Sequence, residues 1–162
     1  MSSETDPARE LLRHTLATLA YRGGKALRGA TTDFATFRAS EGTRTPLEIL
    51  AHMGDLMEWA QSIVSGTQTW KDAKPAAWDE EVKRFFAALA ALDDYLASGA
   101  PLGCAPQKLF QAPIADALTH VGQIAMLRRM AGTPMRGENY FKADIVTGRV
   151  GAEQSPPRME FD

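Results

Sequence analysis

Three side chains in this sequence could grip a cation between them: His52, Asp116 and His120. Asp116 and His120 stand four residues apart, so on a helix they rise from one face, a turn from each other. Ala117, Ile124 and Leu127 flank that face, which predicts that it is turned inward. His52 lies three residues after Ile49 and four before Leu56 in a stretch of helical apolar spacing. Its imidazole therefore points toward the core, where a polar group needs a partner. Two imidazole nitrogens and a carboxylate oxygen make a three-cornered set with coordination positions left open. Such donors suit zinc, nickel, iron or manganese as divalent ions. The same residues also fit a second reading, in which Asp116 and His120 are only a hydrogen-bonded pair and His52 is a satisfied core histidine. Gln123, one turn beyond His120, is placed either to hydrogen-bond a ligand or a ligating histidine, or to bridge two helices.

Other chemistry finds little support. A Ser/His/Asp arrangement, a phosphate-cradling glycine loop and a zinc-finger cysteine set are absent from the sequence. Cys104 is the single cysteine, with nothing basic beside it in sequence to lower its pKa, and reads as a passive thiol. His14 reads as a boundary histidine beside an apolar stripe, Glu48 as a capping residue and Asp55 as a solvent-facing acid. Trp59, Trp70 and Trp78 fit core and cap packing, or the wall of a pocket.

Four helices must position these residues. Asp6-Pro7 is a cap followed by proline at the first helical position, and the first helix runs from there toward Tyr21, on a stripe of Leu12, Leu16 and Leu19. Gly23-Gly24 then weakens or ends it, and the stretch from Gly29 to Arg44 reads as a packed connector anchored by Phe34 and Phe37. Thr45-Pro46-Leu47-Glu48 is a capping box that starts a second helix running to about Ser65, with Gly66 as its exit. Asp79-Glu80-Glu81 places negative charge at the start of a third, whose Val82, Phe85, Leu89, Leu92 and Leu96 form a packing seam closed by Gly99. A short turn of helix around Lys108 to Gln111 precedes a fourth, beginning at Pro113 and ending at Gly132, with Arg128 and Arg129 at its negative end. From Thr133 to Asp162 prolines and glycines recur and the apolar clusters are only Tyr140-Phe141 and Ile145-Val146, which predicts an extended tail laid over the helices. The expected fold is all-α: one four-helix bundle domain over residues 1–162, its helical core at about 6–132 and its tail at 133–162.

Composition narrows the partners. At 162 residues, 44% hydrophobic and 23% charged, the chain matches ordinary globular proteins. A formal net charge of -2 supplies no broad positive field for nucleic acid phosphates or an anionic membrane. The N-terminal Met-Ser-Ser-Glu-Thr-Asp-Pro is acidic and polar where a secretory signal is basic then apolar, and no apolar run approaches a membrane span. With one cysteine, the expected compartment is the cytoplasm.

Two segments carry a resemblance. Arg44-Thr45-Pro46-Leu47-Glu48-Ile49-Leu50-Ala51-His52-Met53-Gly54-Asp55-Leu56 resembles the second helix of the DinB/YfiT-like family, whose histidine in that place is a metal ligand. His120-Val121-Gly122-Gln123-Ile124 resembles the family's fourth-helix segment, and the likeness follows helix order over residues 1–132. It implies an up-down-down-up four-helix bundle, a metal held by three histidines, a homodimer, and transfer or isomerisation chemistry on a small molecule with a low-molecular-weight thiol. This sequence departs at one ligand, carrying Asp116 where the family usually has histidine. Carboxylate serves the same metals, so His52, Asp116 and His120 remain the implied set.

Overall fold

A computed structural model describes residues 6–161, so the polar N-terminal stretch read above falls, apart from Asp6 and Pro7, outside the described residues. The first helix, α1 (Pro7–Leu27), opens as its sequence predicts: the Asp6 carboxylate accepts the Ala8 amide at 2.9 Å. It does not stop near Tyr21 but continues through both glycines to Leu27. Two helical glycines cost roughly 1 kcal/mol each against alanine. Tertiary packing carries the helix through them: both glycines are buried, and a Cβ on Gly23 would sit at ordinary van der Waals distance, 3.4 Å from the Phe85 ring and 3.6 Å from Val121.

The connector holds one short helix, α2 (Thr32–Ala35), which delivers Phe34 into the core edge-on to Trp78, ring centroids 5.9 Å apart. Helix α3 (Pro46–Val64) starts on the anticipated capping box. The Thr45 hydroxyl accepts the Glu48 amide at 3.1 Å, and Glu48 accepts the Thr45 amide at 2.7 Å. Helix α4 (Trp78–Ala97) has no side-chain cap at Ala77; instead buried Glu81 reaches back to accept the Ala76 amide at 2.9 Å.

The last long helical run begins earlier than expected. Pro113 is not its first residue: α5 (Pro106–Leu109) passes into a wide π-turn, Phe110–Ile114, and on into α6 (Ala115–Met130). Proline has no amide to donate and its ring clashes with the preceding turn of a regular helix. A π-turn opens the backbone at that point, so the chain keeps its helical course around Pro113.

Helix α1 packs on α4 and α6, and α3 packs on the same two, so the four long helices enclose a common core. Leu16, Leu50, Met53, Phe85, Leu89 and Ile124 are fully buried at its centre. The protein is thus mainly helical, with little sheet. No helix among the described residues is long and apolar enough to cross a membrane.

The tail is pinned rather than simply draped. Strands β1 (Gly137–Glu138) and β2 (Glu160–Phe161) pair antiparallel, Gly137 opposite Phe161. Glu138 is buried, accepting from the Tyr21 hydroxyl at 2.5 Å and the Lys25 ammonium at 2.7 Å, while Lys25 also reaches Glu160 at 2.8 Å. Arg128, read from sequence as a dipole partner, is buried and donates to the carbonyls of Ala26, Arg28 and Thr133 at 3.0, 2.6 and 2.8 Å. It ties the end of α1 to the end of α6.

Candidate metal centre

His52 on α3 and the Asp116/His120 pair on α6 meet across the contact between those helices. One donor atom from each lies within 4.8 Å of the others. Asp116 is the pivot: its two carboxylate oxygens lie 3.5 Å from His52 Nε2 and 3.4 Å from His120 Nε2. The imidazole rings stand nearly perpendicular, centroids 4.9 Å apart. His120 is buried, His52 partly so, and Asp116 keeps 46% of its side chain exposed, so the group sits where the core meets solvent.

The two carboxylate–imidazole separations bear on the readings that the sequence leaves open. A hydrogen-bonded pair would close to about 2.7–3.2 Å. Ligands about 2.0–2.1 Å from one tetrahedral ion lie about 3.4 Å from each other. The observed 3.4 and 3.5 Å, each to a different oxygen of Asp116, exceed a good hydrogen bond and bring the donors near coordination spacing without closing a shell. The three donor atoms lie within 4.8 Å of one another, so gripping one ion would need the side chains to draw together. His52, Asp116 and His120 therefore form a group that could hold a metal ion.

Gln123 acts within its own helix, not between helices. Its Oε1 lies 2.8 Å from His120 Nδ1, so Nδ1 carries the proton and donates it. That hydrogen bond fixes the tautomer whose Nε2 lone pair faces Asp116. At His52, burial first, then His120 and Arg44, push the imidazole below its ordinary pKa. Below that ordinary value the ring is neutral at pH 7, the form that ligates metal.

Asp55 corrects the sequence reading: it is not a solvent-facing acid but 4% exposed. Arg84 of α4 reaches it at 2.9 Å, bonds Glu81 and the Ala51 carbonyl at 2.8 and 2.7 Å, and approaches Glu58 at 3.2 Å. Burial raises the Asp55 carboxyl above its usual value, with Arg84 pulling the other way. Ala51 and Asp55 bracket His52 on α3, so this cross-helix clamp holds the turn that carries His52. Nothing local announces it, because Arg84 stands 29 residues from Asp55.

Trp70, in the connector after α3, is 40% exposed yet lies 5.7 Å from the His52 ring and 5.7 Å from Trp59. Both of these tryptophans thus belong to the site's wall, whereas Trp78 is core. His14 is exposed, 3.2 Å from the Thr147 hydroxyl, and Cys104 is a half-buried thiol whose pKa burial raises; neither joins the group.

Two clefts open beside the three donors. One, about 690 Å³, runs along α6 past His120 and Gln123 to Ile49 and Arg44. The other, about 430 Å³, lies between Trp59 and Asp116. Thr119 lines both. His120 lines the first and Asp116 the second. Comparison of the chain with family models, curated proteins and solved structures finds no match, so the geometry of this site is what speaks for its chemistry.

Proposed function

We propose that this protein is a divalent-metal-dependent enzyme acting on a small molecule, built as a four-helix bundle of the DinB/YfiT-like type, with His52, Asp116 and His120 as metal ligands. The observation that carries the reading is the convergence of the donors: two imidazole nitrogens on different helices stand 3.4 and 3.5 Å from the two oxygens of one carboxylate, with a donor atom from each residue within 4.8 Å of the others. Zinc or nickel is the first expectation for two imidazoles and a carboxylate, iron or manganese the next.

An ion in such a site lowers the pKa of a water or thiol it binds and polarises a substrate oxygen, which suits a thiol-dependent transferase or isomerase, or a hydrolase. The protein's own residues do the positioning. Gln123 holds the His120 tautomer, Arg84 holds the turn under His52, and the Trp70 ring shields the His52 edge from water. Asp116, half exposed, faces the cleft from which a substrate would arrive. The homodimer and the cytoplasmic address belong to the same proposal and rest on the family resemblance and the lone cysteine.

The test is a zinc and nickel titration by calorimetry of protein stripped with chelator, with metal content measured on protein purified without added ions. One ion per chain is expected, lost in His52→Ala and in His120→Ala. Wild-type protein that takes up no ion, or an ion retained undiminished by both variants, overturns the reading.

A further inference from the structure

The larger cleft beside His120 has a chemical character of its own. Its walls are mostly uncharged, with Ile49, Met126 and Leu127 as the apolar surface. Arg44 is the one formally charged side chain lining it, and it is exposed at the rim. Among the described residues, the Arg44 side chain has neither an ion-pair nor a hydrogen-bond partner, a state it shares with those of Arg28 and Arg129, and of these three it is the one that lines this cleft. A guanidinium left without an acceptor, at the mouth of an apolar cleft, is a ready donor for an oxyanion, since its fork matches carboxylate and phosphate geometry. The opposite cleft carries the reverse sign, its one charged lining residue being Asp116.

We propose that this cleft binds a small amphiphile, its oxyanion head on Arg44 and its apolar body along Ile49, Met126 and Leu127 toward His120. The inference deepens the metal-enzyme reading by giving its substrate class, and rests on that reading for what happens to the ligand once bound. Binding itself needs only the cleft and the guanidinium. Charge sets the direction of entry: an anion head held at the rim leaves the apolar end facing the donors, and a cationic molecule is turned away. Gly122 supplies an independent handle, because it lines the cleft and a Cβ there would meet no atom within 4 Å. A larger side chain at that position fills the cleft without disturbing the packed core.

The experiment is calorimetric titration of the full chain with hexanoate and hexyl phosphate, against hexanol, hexylammonium and inorganic phosphate, each with and without zinc. Wild type, Arg44→Gln and Gly122→Leu are compared, and zinc affinity is measured in all three. Hexanoate or hexyl phosphate should bind in preference to hexanol and hexylammonium, and the tighter of the two names the head group. Arg44→Gln should weaken that ligand about fivefold to tenfold, as expected for a charge-assisted contact at a partly exposed site, and should flatten its salt dependence. Gly122→Leu should weaken hexanoate and hexanol alike while zinc affinity holds. The proposal is overturned if no amphiphile binds, if hexylammonium binds as well as hexanoate, or if inorganic phosphate binds as tightly as hexyl phosphate. It is equally overturned if Arg44→Gln leaves hexanoate affinity unchanged, as would happen were the carboxylate seated on the metal. Absence of zinc binding alongside an intact Arg44 effect would sink the metal reading and leave this one standing.

Discussion

Gly54→Ala sets two effects of opposite sign against each other inside the clamp that holds His52. Alanine gains about 1 kcal/mol over glycine in a helix interior, so propensity alone makes the variant more stable. The structure reverses that sign. A Cβ at position 54 would stand 2.8 Å from Arg84 Cζ and 2.9 and 3.0 Å from its terminal nitrogens, so the guanidinium must move. It cannot move freely, because it bonds Asp55 and Glu81, whose side chains are 4% and 3% exposed, together with the Ala51 carbonyl. Removing one partner of a buried pair outright costs about 3–5 kcal/mol. Arg84 is itself 22% exposed and can partly reseat, so the loss should be nearer the lower figure. Subtracting the propensity gain leaves a net destabilisation of about 2 kcal/mol, or about 4–8 °C in Tm for a chain of this length. Urea unfolding followed by circular dichroism measures it, and the same substitution made in Arg84→Ala isolates the cause. With the guanidinium already gone, Gly54→Ala should turn stabilising. If it stabilises the wild-type protein, or destabilises both backgrounds equally, then Arg84 is not the reason that glycine stands there.

The remaining predictions concern the ligands and the cap. Gln123→Ala should weaken zinc binding by about tenfold or more without unfolding the protein, since it frees His120 Nδ1 from its 2.8 Å acceptor; calorimetric affinity equal to wild type would show that this contact does not orient the ring. Glu48→Gln addresses pH. The Thr45 amide, and then Arg38, hold the Glu48 carboxyl below its ordinary value, so its charge adds stability that is present above the usual glutamate pKa and is lost as pH falls through the lowered folded value. Urea midpoints of wild type and variant should therefore differ slightly at pH 7 and converge below about pH 4, a gap that widens in acid being the contrary result.

What could be read in advance was what is encoded within one helical turn. The capping box at Thr45 and Glu48 depends only on neighbours, and it formed where expected. His52, Asp116 and His120 were legible because helical spacing alone puts two of them on one face and the third on an inward stripe. The end of α1 was misplaced for the complementary reason: local propensity counts Gly23-Gly24 as a stop, while Phe85, Phe86 and Val121, distant in sequence, pack around the two buried glycines. The burial of Asp55, the clamp at Arg84 and the screening by Trp70 likewise depend on partners no local pattern reveals.

The misreading of Pro113 bears most directly on the site. In an unbroken α-helix, residues seven apart lie nearly in line, so Asp116 would follow buried Leu109 into the core. The π-turn at Phe110–Ile114 inserts one extra residue, and a residue is worth about 100° of rotation. Ala117 then takes the place in line with Leu109, and both are fully buried. Asp116 is carried to the edge of the core, where 46% of its side chain meets solvent while both oxygens still face the imidazoles. A carboxylate sealed among Leu109 and its neighbours would be forced toward its neutral form by desolvation and could meet no substrate. Proline in a widened turn, three residues before Asp116, is thus the local device that carries this carboxylate from a core-facing position to the mouth of a cleft.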